Sequence, residues 1–534
     1  MRWRPRGWTG VDALVALAIA GLMLGWLDRP DLMEPDEGRH AEIAREMLAT
    51  GHFITPKLHG QPYYHKPPFF HWTVAASISL FGANAGAARL PSALSALWLV
   101  AVLAWWASKA WSPAVGRLTA GLVATTLAVV ATARYVLIDM MFTAALVSAL
   151  VWLGVWFLEW GDAPNPPRRS IYPFYALVGL ATLIKGPVAI VLAGLVALAS
   201  TLVFFGPSGI KKLRPFSGGI VALALALPWY LAAWFEDPAY IQAFLLRHNL
   251  GRYAVAGSVG HQQPWYYYLV AGPLVLLPWV FYLPWALDQA WARSQRGRAE
   301  VYCFLWAITV TAFFMPAKAK LVTYLLPALP PLLCLLAVAL ERTLVGSGAL
   351  PPLARRLQLG WSMLIGLLCS AAGGYALFVN PEEPARALLL VAALVTLATG
   401  LRAWRSGEAE RALLCGALST AALVVTVWGL GAGLISSVRS LRPAATIVAS
   451  SDPPVQRLLS YRASGHTLAF YAGRVLERLD SRETIVPLLA FPPGVALLSK
   501  QKYLAELGLE PLPEGWRLAW RGALGKVLLV GTDR

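Results

Sequence analysis

The feature that most constrains this chain is a run of apolar residues, about 17 to 25 long, that recurs over most of its length. Coiled as a helix, such a run matches the hydrocarbon thickness of a bilayer and satisfies its own backbone there. The expected fold class is therefore an α-helical polytopic membrane protein. Composition agrees, since 57% of the 534 residues are hydrophobic and only 14% are charged, a balance too apolar for a soluble domain. Thirteen spans are expected, near 9–27, 89–107, 114–133, 141–159, 171–184, 187–205, 217–235, 266–286, 300–316, 321–340, 360–378, 387–401 and 412–435.

The formal net charge of +17 is concentrated in short Lys/Arg clusters between apolar runs. That is the positive-inside pattern of a membrane protein, and it argues against nucleic acid as a partner. Arg2, Arg4 and Arg6 place the N-terminus inside, with the first span retained rather than cleaved, and the even loops then carry the remaining clusters. The external segments are 28–88, 134–140, 184–187, 236–265, 316–320, 379–386 and the tail from 440. Domain organisation follows: a transmembrane part over 1–439, with large external loops at 28–88 and 236–265, and a small α/β domain over 440–534. In that tail ATIVAS, TLAFYAG, TIVPLLA, GVALLSK and KVLLVGT read as β-prone runs and KYLAEL as a helix. Cys303, Cys334, Cys369 and Cys415 all fall in apolar runs without CxxC spacing and read as inert core thiols. No sequence signal bears on oligomeric state.

Glu34 to Trp72 is the first long polar interruption, and a charged loop beside a membrane is where function concentrates. Asp36 precedes GRHAEIAREML, whose Ile43, Met47 and Leu48 recur at helical spacing, so a helix lying on the membrane surface is expected. Asp36 alone reads as a helix N-cap; with Glu34 and Glu37 beside it there are more carboxylates than a cap requires. A carboxylate at a helix N-terminus stays ionised and suits holding a hydroxyl, an amine or a cation. Lys66 stands before Pro67 and Pro68 at the next helix start, a favourable place for phosphate. An isolated interfacial lysine is ordinary; one in the company of Tyr63, Tyr64 and His65 is not.

Asp139 is the only acidic residue in a long apolar neighbourhood, where a charge costs about 2 to 3 kcal/mol on lenient insertion scales. It must face a cavity or a partner, and Arg134 is the nearest partner in sequence. Lys185, the RHNLGRY segment with Arg247, His248, Arg252 and Tyr253, and Lys318, Lys320 and Tyr324 complete an external basic rim around two acidic residues. That rim suits an anionic lipid head group.

EPDEGRHAEIAREML, YYHKPP, ARLPSALSAL, RYVLIDMM and KLVTYLLPALP together resemble successive motifs of the GT-C membrane glycosyltransferases that use polyprenyl-phosphate sugars. Among these the chain looks most like the lipid A aminoarabinose transferases, with protein O-mannosyltransferases as more distant relatives. The resemblance covers nearly the whole membrane part and weakens in the tail. It implies that Asp36 and Asp139 are the catalytic aspartates and that Lys66, Arg252 and Tyr63 hold the donor phosphate. Glu37, Arg39, His40, Lys185 and Lys320 would line the substrate cavity. His248, Tyr324 and His65 match positions near a metal in the family's site, although no cofactor is required and the ion, Zn or Mg, is optional. His40 stands where the family often has Tyr, and His65 replaces an acidic residue, which changes the ligand chemistry of any metal site.

The resemblance implies an inverting enzyme of the bacterial inner membrane that works on the periplasmic face. It would move a sugar, 4-amino-4-deoxy-L-arabinose, from an undecaprenyl-phosphate donor to lipid A or another envelope acceptor among membrane lipids. A single phosphate leaving group can be neutralised by Lys and Arg without a DxD-bound ion. Protein hydroxyls or another envelope glycan are alternative acceptors. A transporter of lipid-linked sugars is a third reading, disfavoured because the polar residues cluster at one face rather than at the midplane.

Overall fold

The computed structural model describes residues 10–244, 262–291, 297–346, 349–379, 384–452, 454–490 and 494–532. Each expected span coincides with a helix or a succession of helices. Among the described residues seven helices are long and apolar enough to cross a membrane, or up to nine if each of two bent pairs is one span. The chain is thus a multi-pass membrane protein, with the remaining expected spans falling on shorter or more polar helices. One of these is Tyr172–Lys185, whose 14 residues cover about 21 Å at 1.5 Å per residue, short of a ~30 Å hydrocarbon core.

The bent pairs explain each other. Pro113–Ala124 and Leu127–Ala133 meet at 62°, and Tyr267–Val275 and Trp279–Trp291 at 109°. At the first break Thr125 and Thr126 donate their hydroxyls to the carbonyls of Gly121 and Leu122, at 2.5 and 2.7 Å, the back-bonding that bends helices. The freed Leu127 N–H donates to the Leu277 carbonyl, which lies in the second break, at 2.9 Å. Irregular backbone inside a membrane protein is tolerated where protein satisfies it in this way.

Before and between the first spans lie the elements that matter for function: α1 (Gly10–Leu24), α2 (Asp36–Thr50), the hairpin β1 (Lys57–Leu58) and β2 (Gln61–Pro62), α3 (Phe69–Phe81) and α4 (Ala85–Ala110). The α2 face holding Ile43 and Met47 is buried, while Leu48 is exposed. α2 is clamped between α3 and the tail, and its burial extends to His40, Glu42 and Glu46 as well. The hairpin turns on two residues, with His59 at φ 58° and Gly60 at φ 75°, the left-handed pair that a two-residue turn demands. Both turn amides donate to buried Glu46 at 2.8 Å.

The tail is a five-stranded sheet in the order β4-β3-β5-β7-β6, built from β3 (Arg457–Tyr461), β4 (Leu476–Leu479), β5 (Val495–Lys500), β6 (Trp516–Arg521) and β7 (Lys526–Gly531). β3 runs parallel to β4 and β5, and β7 antiparallel to β5 and β6. Ala496, Leu498 and Leu528 enter one core and Leu497, Val527 and Leu529 the other, as the alternation of a strand requires. Three expected strands are helices instead: Arg442–Ala449, His466–Ala472 and Arg482–Leu489. Short apolar runs do not distinguish helix from strand by periodicity, and each of these packs one face on the sheet. The expected KYLAEL helix is a single short turn over Gln501–Tyr503 followed by turns.

Helix His466–Ala472 docks the sheet onto α2. Glu34 accepts from the Thr467 amide at 2.6 Å, the Thr467 hydroxyl at 2.8 Å and the Ser464 hydroxyl at 2.5 Å. The approach is close: a Cβ on Gly38 would stand 2.6 Å from Thr467 Cγ2 and 2.9 Å from its amide nitrogen. Asp31 and Arg442 pair at 3.0 Å at the edge of the same interface.

Candidate functional site

The helix start that carries Asp36 is capped by Pro35, with no side-chain bond to the first turn. Asp36 is the first helical residue, and its carboxylate is about half exposed and paired with Arg39 one turn later. The expected N-cap role is therefore absent, which leaves the Asp36 side chain available at the surface of the loop. Its neighbour Glu37 behaves oppositely. Glu37 is fully buried; each oxygen accepts from Arg89 at 2.7 Å, and the Met33 and Val136 amides donate to it at 3.1 and 3.2 Å. It was expected to line a cavity, and it is a packed hub instead. A buried carboxylate survives only when its acceptor capacity is filled in this manner. Because Val136 lies three residues before Asp139, the hub brings the start of α2 to the level of the helix that carries Asp139.

Asp139 begins Ile138–Glu159. Its partner is Lys185, not Arg134: the Lys185 ammonium is 2.5 Å from Asp139 Oδ1, with both side chains nearly buried. Arg134 is buried elsewhere and donates to the carbonyls of Met23 and Gly25 at 3.4 and 3.2 Å. Lys185 is the last residue of Tyr172–Lys185, followed by Gly186 at φ 97°, so the helix end and its glycine turn aim the lysine. The ammonium also sits over the rings of Phe142 and Tyr324, at 4.8 and 4.7 Å, and Thr323 hydrogen-bonds Asp139.

Lys66 is near enough to both helix starts to act electrostatically on Asp139 and on His40. Its carbonyl accepts from the Tyr240 hydroxyl at 2.6 Å, and the Tyr240 ring is fully buried. The neighbouring Tyr64 donates to Asp237 at 2.7 Å. Tyr63 is packed with Ile43 and Met47, and its ring lies 4.7 Å from that of His65. Lys320, expected in the cavity, is buried and donates to the Ala317 and Gln263 carbonyls at 2.6 and 3.2 Å; it holds a turn. Arg247, His248, Arg252 and Tyr253 lie outside the described residues.

Among the described residues no three His, Cys, Asp or Glu side chains gather to hold a metal ion. Of the expected set, His65 rests on Tyr63 and Tyr324 lies beneath the Lys185 ammonium, a neighbour that repels a cation. These two residues do not fit a Zn or Mg site.

Histidines form two pairs that sequence reading missed. His40 Nδ1 is 3.0 Å from His71 Nε2, and His59 Nε2 is 2.7 Å from His466 Nδ1. Burial pushes the His40 pKa well below its ordinary value, helped by His71, Arg39 and Lys66. Burial likewise lowers His59 and His466 to about 3 each. Glu42 moves the other way, raised to about 7 by burial despite its Arg45 partner. The partners in each histidine pair are 31 and 407 residues apart, so no local spacing reveals them.

Residues 15–244 match the family described as dolichyl-phosphate-mannose-protein mannosyltransferase. An undecaprenyl phosphate-alpha-4-amino-4-deoxy-L-arabinose arabinosyl transferase of Aeromonas salmonicida is 32% identical over 315 residues, covering 59% of this chain and 57% of the relative. A protein of the same description from Pseudomonas fluorescens is 34% identical over 341 residues, covering 61% and 57%. The chain thus spans less than two thirds of the length of the relatives it matches. Among solved structures, ArnT from Cupriavidus metallidurans bound to undecaprenyl phosphate superposes with a TM-score of 0.77 at 22% identity, over 98% of this chain and 99% of that one. The archaeal oligosaccharyltransferase AglB from Archaeoglobus fulgidus gives 0.50 at 12% identity, over 92% and 69%. The fold likeness to ArnT runs through the tail as well as the membrane part. By its matched segment and by its fold, the chain resembles the GT-C glycosyltransferases that use polyprenyl-phosphate sugars.

Proposed function

We propose that this chain is an inverting glycosyltransferase of the bacterial inner membrane. It moves a sugar, 4-amino-4-deoxy-L-arabinose, from undecaprenyl phosphate to a lipid A phosphate at the periplasmic face, where the tail also lies. The observation that carries this reading is the pairing of an exposed carboxylate, Asp36, with a buried one, Asp139–Lys185, at two helix starts tied by Glu37 and bridged electrostatically by Lys66. The names of the relatives support the donor and the sugar.

The donor is a phosphodiester, and breaking its glycosidic bond leaves a phosphate monoester with an added negative charge. Lys66, held at its carbonyl by Tyr240, neutralises that charge together with Arg252. Tyr63 walls the same loop. Asp36 orients the donor sugar, whose hydroxyl and amine groups can donate to its exposed oxygens; a lipid A phosphate is already an anionic nucleophile and needs no base, whereas a hydroxyl acceptor would. Asp139 is already bound to Lys185 and fixes that cation at the floor of the site. The chemistry asks for no divalent ion.

Mass spectrometry of lipid A from cells that make the donor tests this reading. Wild-type chain should add a pentosamine mass to a lipid A phosphate, and Asp36→Ala at equal abundance should not. Unchanged lipid A with modified glycoproteins would move the acceptor to protein hydroxyls, and full transfer by Asp36→Ala would remove Asp36 from the reaction centre.

A further inference from the structure

His40 lies one helical turn beyond Asp36, so the two side chains share a face of α2. Behind it stands His71 of α3, fully buried, with Nε2 3.0 Å from His40 Nδ1. One hydrogen lies between these nitrogens, and a neutral pair has two ways to place it. If His40 gives Nδ1–H, then His71 carries its own hydrogen on Nδ1. That atom is buried and has no partner among the described residues, so an N–H would be stranded, the rarer kind of orphan in folded proteins. If His71 gives Nε2–H instead, the stranded atom is only a lone pair, and His40 carries its hydrogen on Nε2. The rings are held for this: Phe70 stands edge-on to His40 at 5.8 Å, and Tyr63 edge-on to His71 at 5.9 Å.

We infer that His71 is a positioning residue that sets the His40 tautomer, so that His40 offers Nε2–H as an uncharged donor to the phosphate of a lipid-linked substrate beside Asp36. The inference rests on the functional reading above and adds a residue pair to it. Burial holds the His40 ring neutral, and His71 and the positive charge of Arg39 and Lys66 add to that. A neutral donor gains as phosphate charge grows in the transition state, without adding a third cation that would tighten substrate and product alike.

The test uses the full chain in detergent with undecaprenyl-phosphate-linked aminoarabinose and lipid A. His40→Phe should lower kcat by about 10²-fold with little change in KM, the loss typical of one transition-state donor. His71→Phe should do nearly the same, and the double variant should be no worse than His40→Phe alone. His71→Gln, whose amide N–H can replace Nε2–H, should recover activity to within about threefold of wild type. A purely structural His71 would not show that rescue. Additive losses in the double variant, or a wild-type kcat in His40→Phe, would overturn the assignment.

A second readout, the thermal shift produced by undecaprenyl phosphate, reports folding and phosphate binding together. His40→Leu, which also lacks a donor, serves where the Phe variant fails to fold. If the wild type transfers no sugar, but its phosphate-induced shift still falls in His71→Phe and returns in His71→Gln, the functional reading fails and the histidine assignment stands. No shift in the wild type would sink both.

Discussion

Two carboxylate–cation pairs stand at two helix starts, and they differ in one respect. Asp36–Arg39 is open, with the Asp36 side chain 56% accessible, whereas Asp139–Lys185 is shut away at 13% and 10%. An exposed pair contributes little and is easily exchanged for a new partner. A buried pair has already lost its water, so removing one member leaves an uncompensated charge. The same residue types therefore serve opposite ends: Asp36 can turn to a substrate, and Asp139 holds a lysine still.

The sharpest way to break this contrast is Asp139→Ala, which should cost about 3–5 kcal/mol of stability because Lys185 is left buried and unpaired; thermal unfolding in detergent reads it directly. Next comes Asp36→Ala. It should change stability by less than about 1 kcal/mol while lowering sugar transfer by about 10²-fold or more, and a large loss of stability would show that the open pair is not open. Replacing both buried partners, Asp139→Leu with Lys185→Met, should restore most of the stability lost in the single variant. Activity should not return with it, since the fixed cation is gone.

The smallest effect concerns pH. His59 and His466 sit near pKa 3 where the tail docks, against an ordinary 6.5. Each takes up a proton more readily when undocked, so docking is complete above about 6.5 and weakens as pH falls from there towards 3. The pair is faced by Glu34, Arg39, Arg45, Arg478 and Lys526, and Glu34 offsets part of the effect. Hydrogen exchange of the tail across that window should show the slope, and His59→Phe should flatten it.

Much of the membrane part was legible because an apolar run of that length has few options, and every expected span found a helix. Asp36, Lys66 and Asp139 stood out because charge beside hydrocarbon is expensive. What sequence could not separate is Asp36 from Glu37. They are adjacent acids, and only the 100° turn of a helix per residue sends one to solvent and the other to Arg89, 52 positions away. The Asp139 partner was misread for a related reason: Arg134 is near in sequence, but Lys185, 46 residues on, is near in space. In the tail, apolar runs of a few residues took whichever form let them cover the sheet, as ATIVAS did in becoming a helix.

Gly38, pressed against Thr467, ties the composition of the loop to that of a domain more than four hundred residues away. Any recombinant that joins this membrane part to a foreign tail inherits the match: the tail must keep a small residue opposite position 38 whose amide donates to Glu34, or the loop must be exchanged with it. The two halves are heritable as a unit, and the boundary suited to shuffling them lies not between the membrane and the tail but around both sides of that contact.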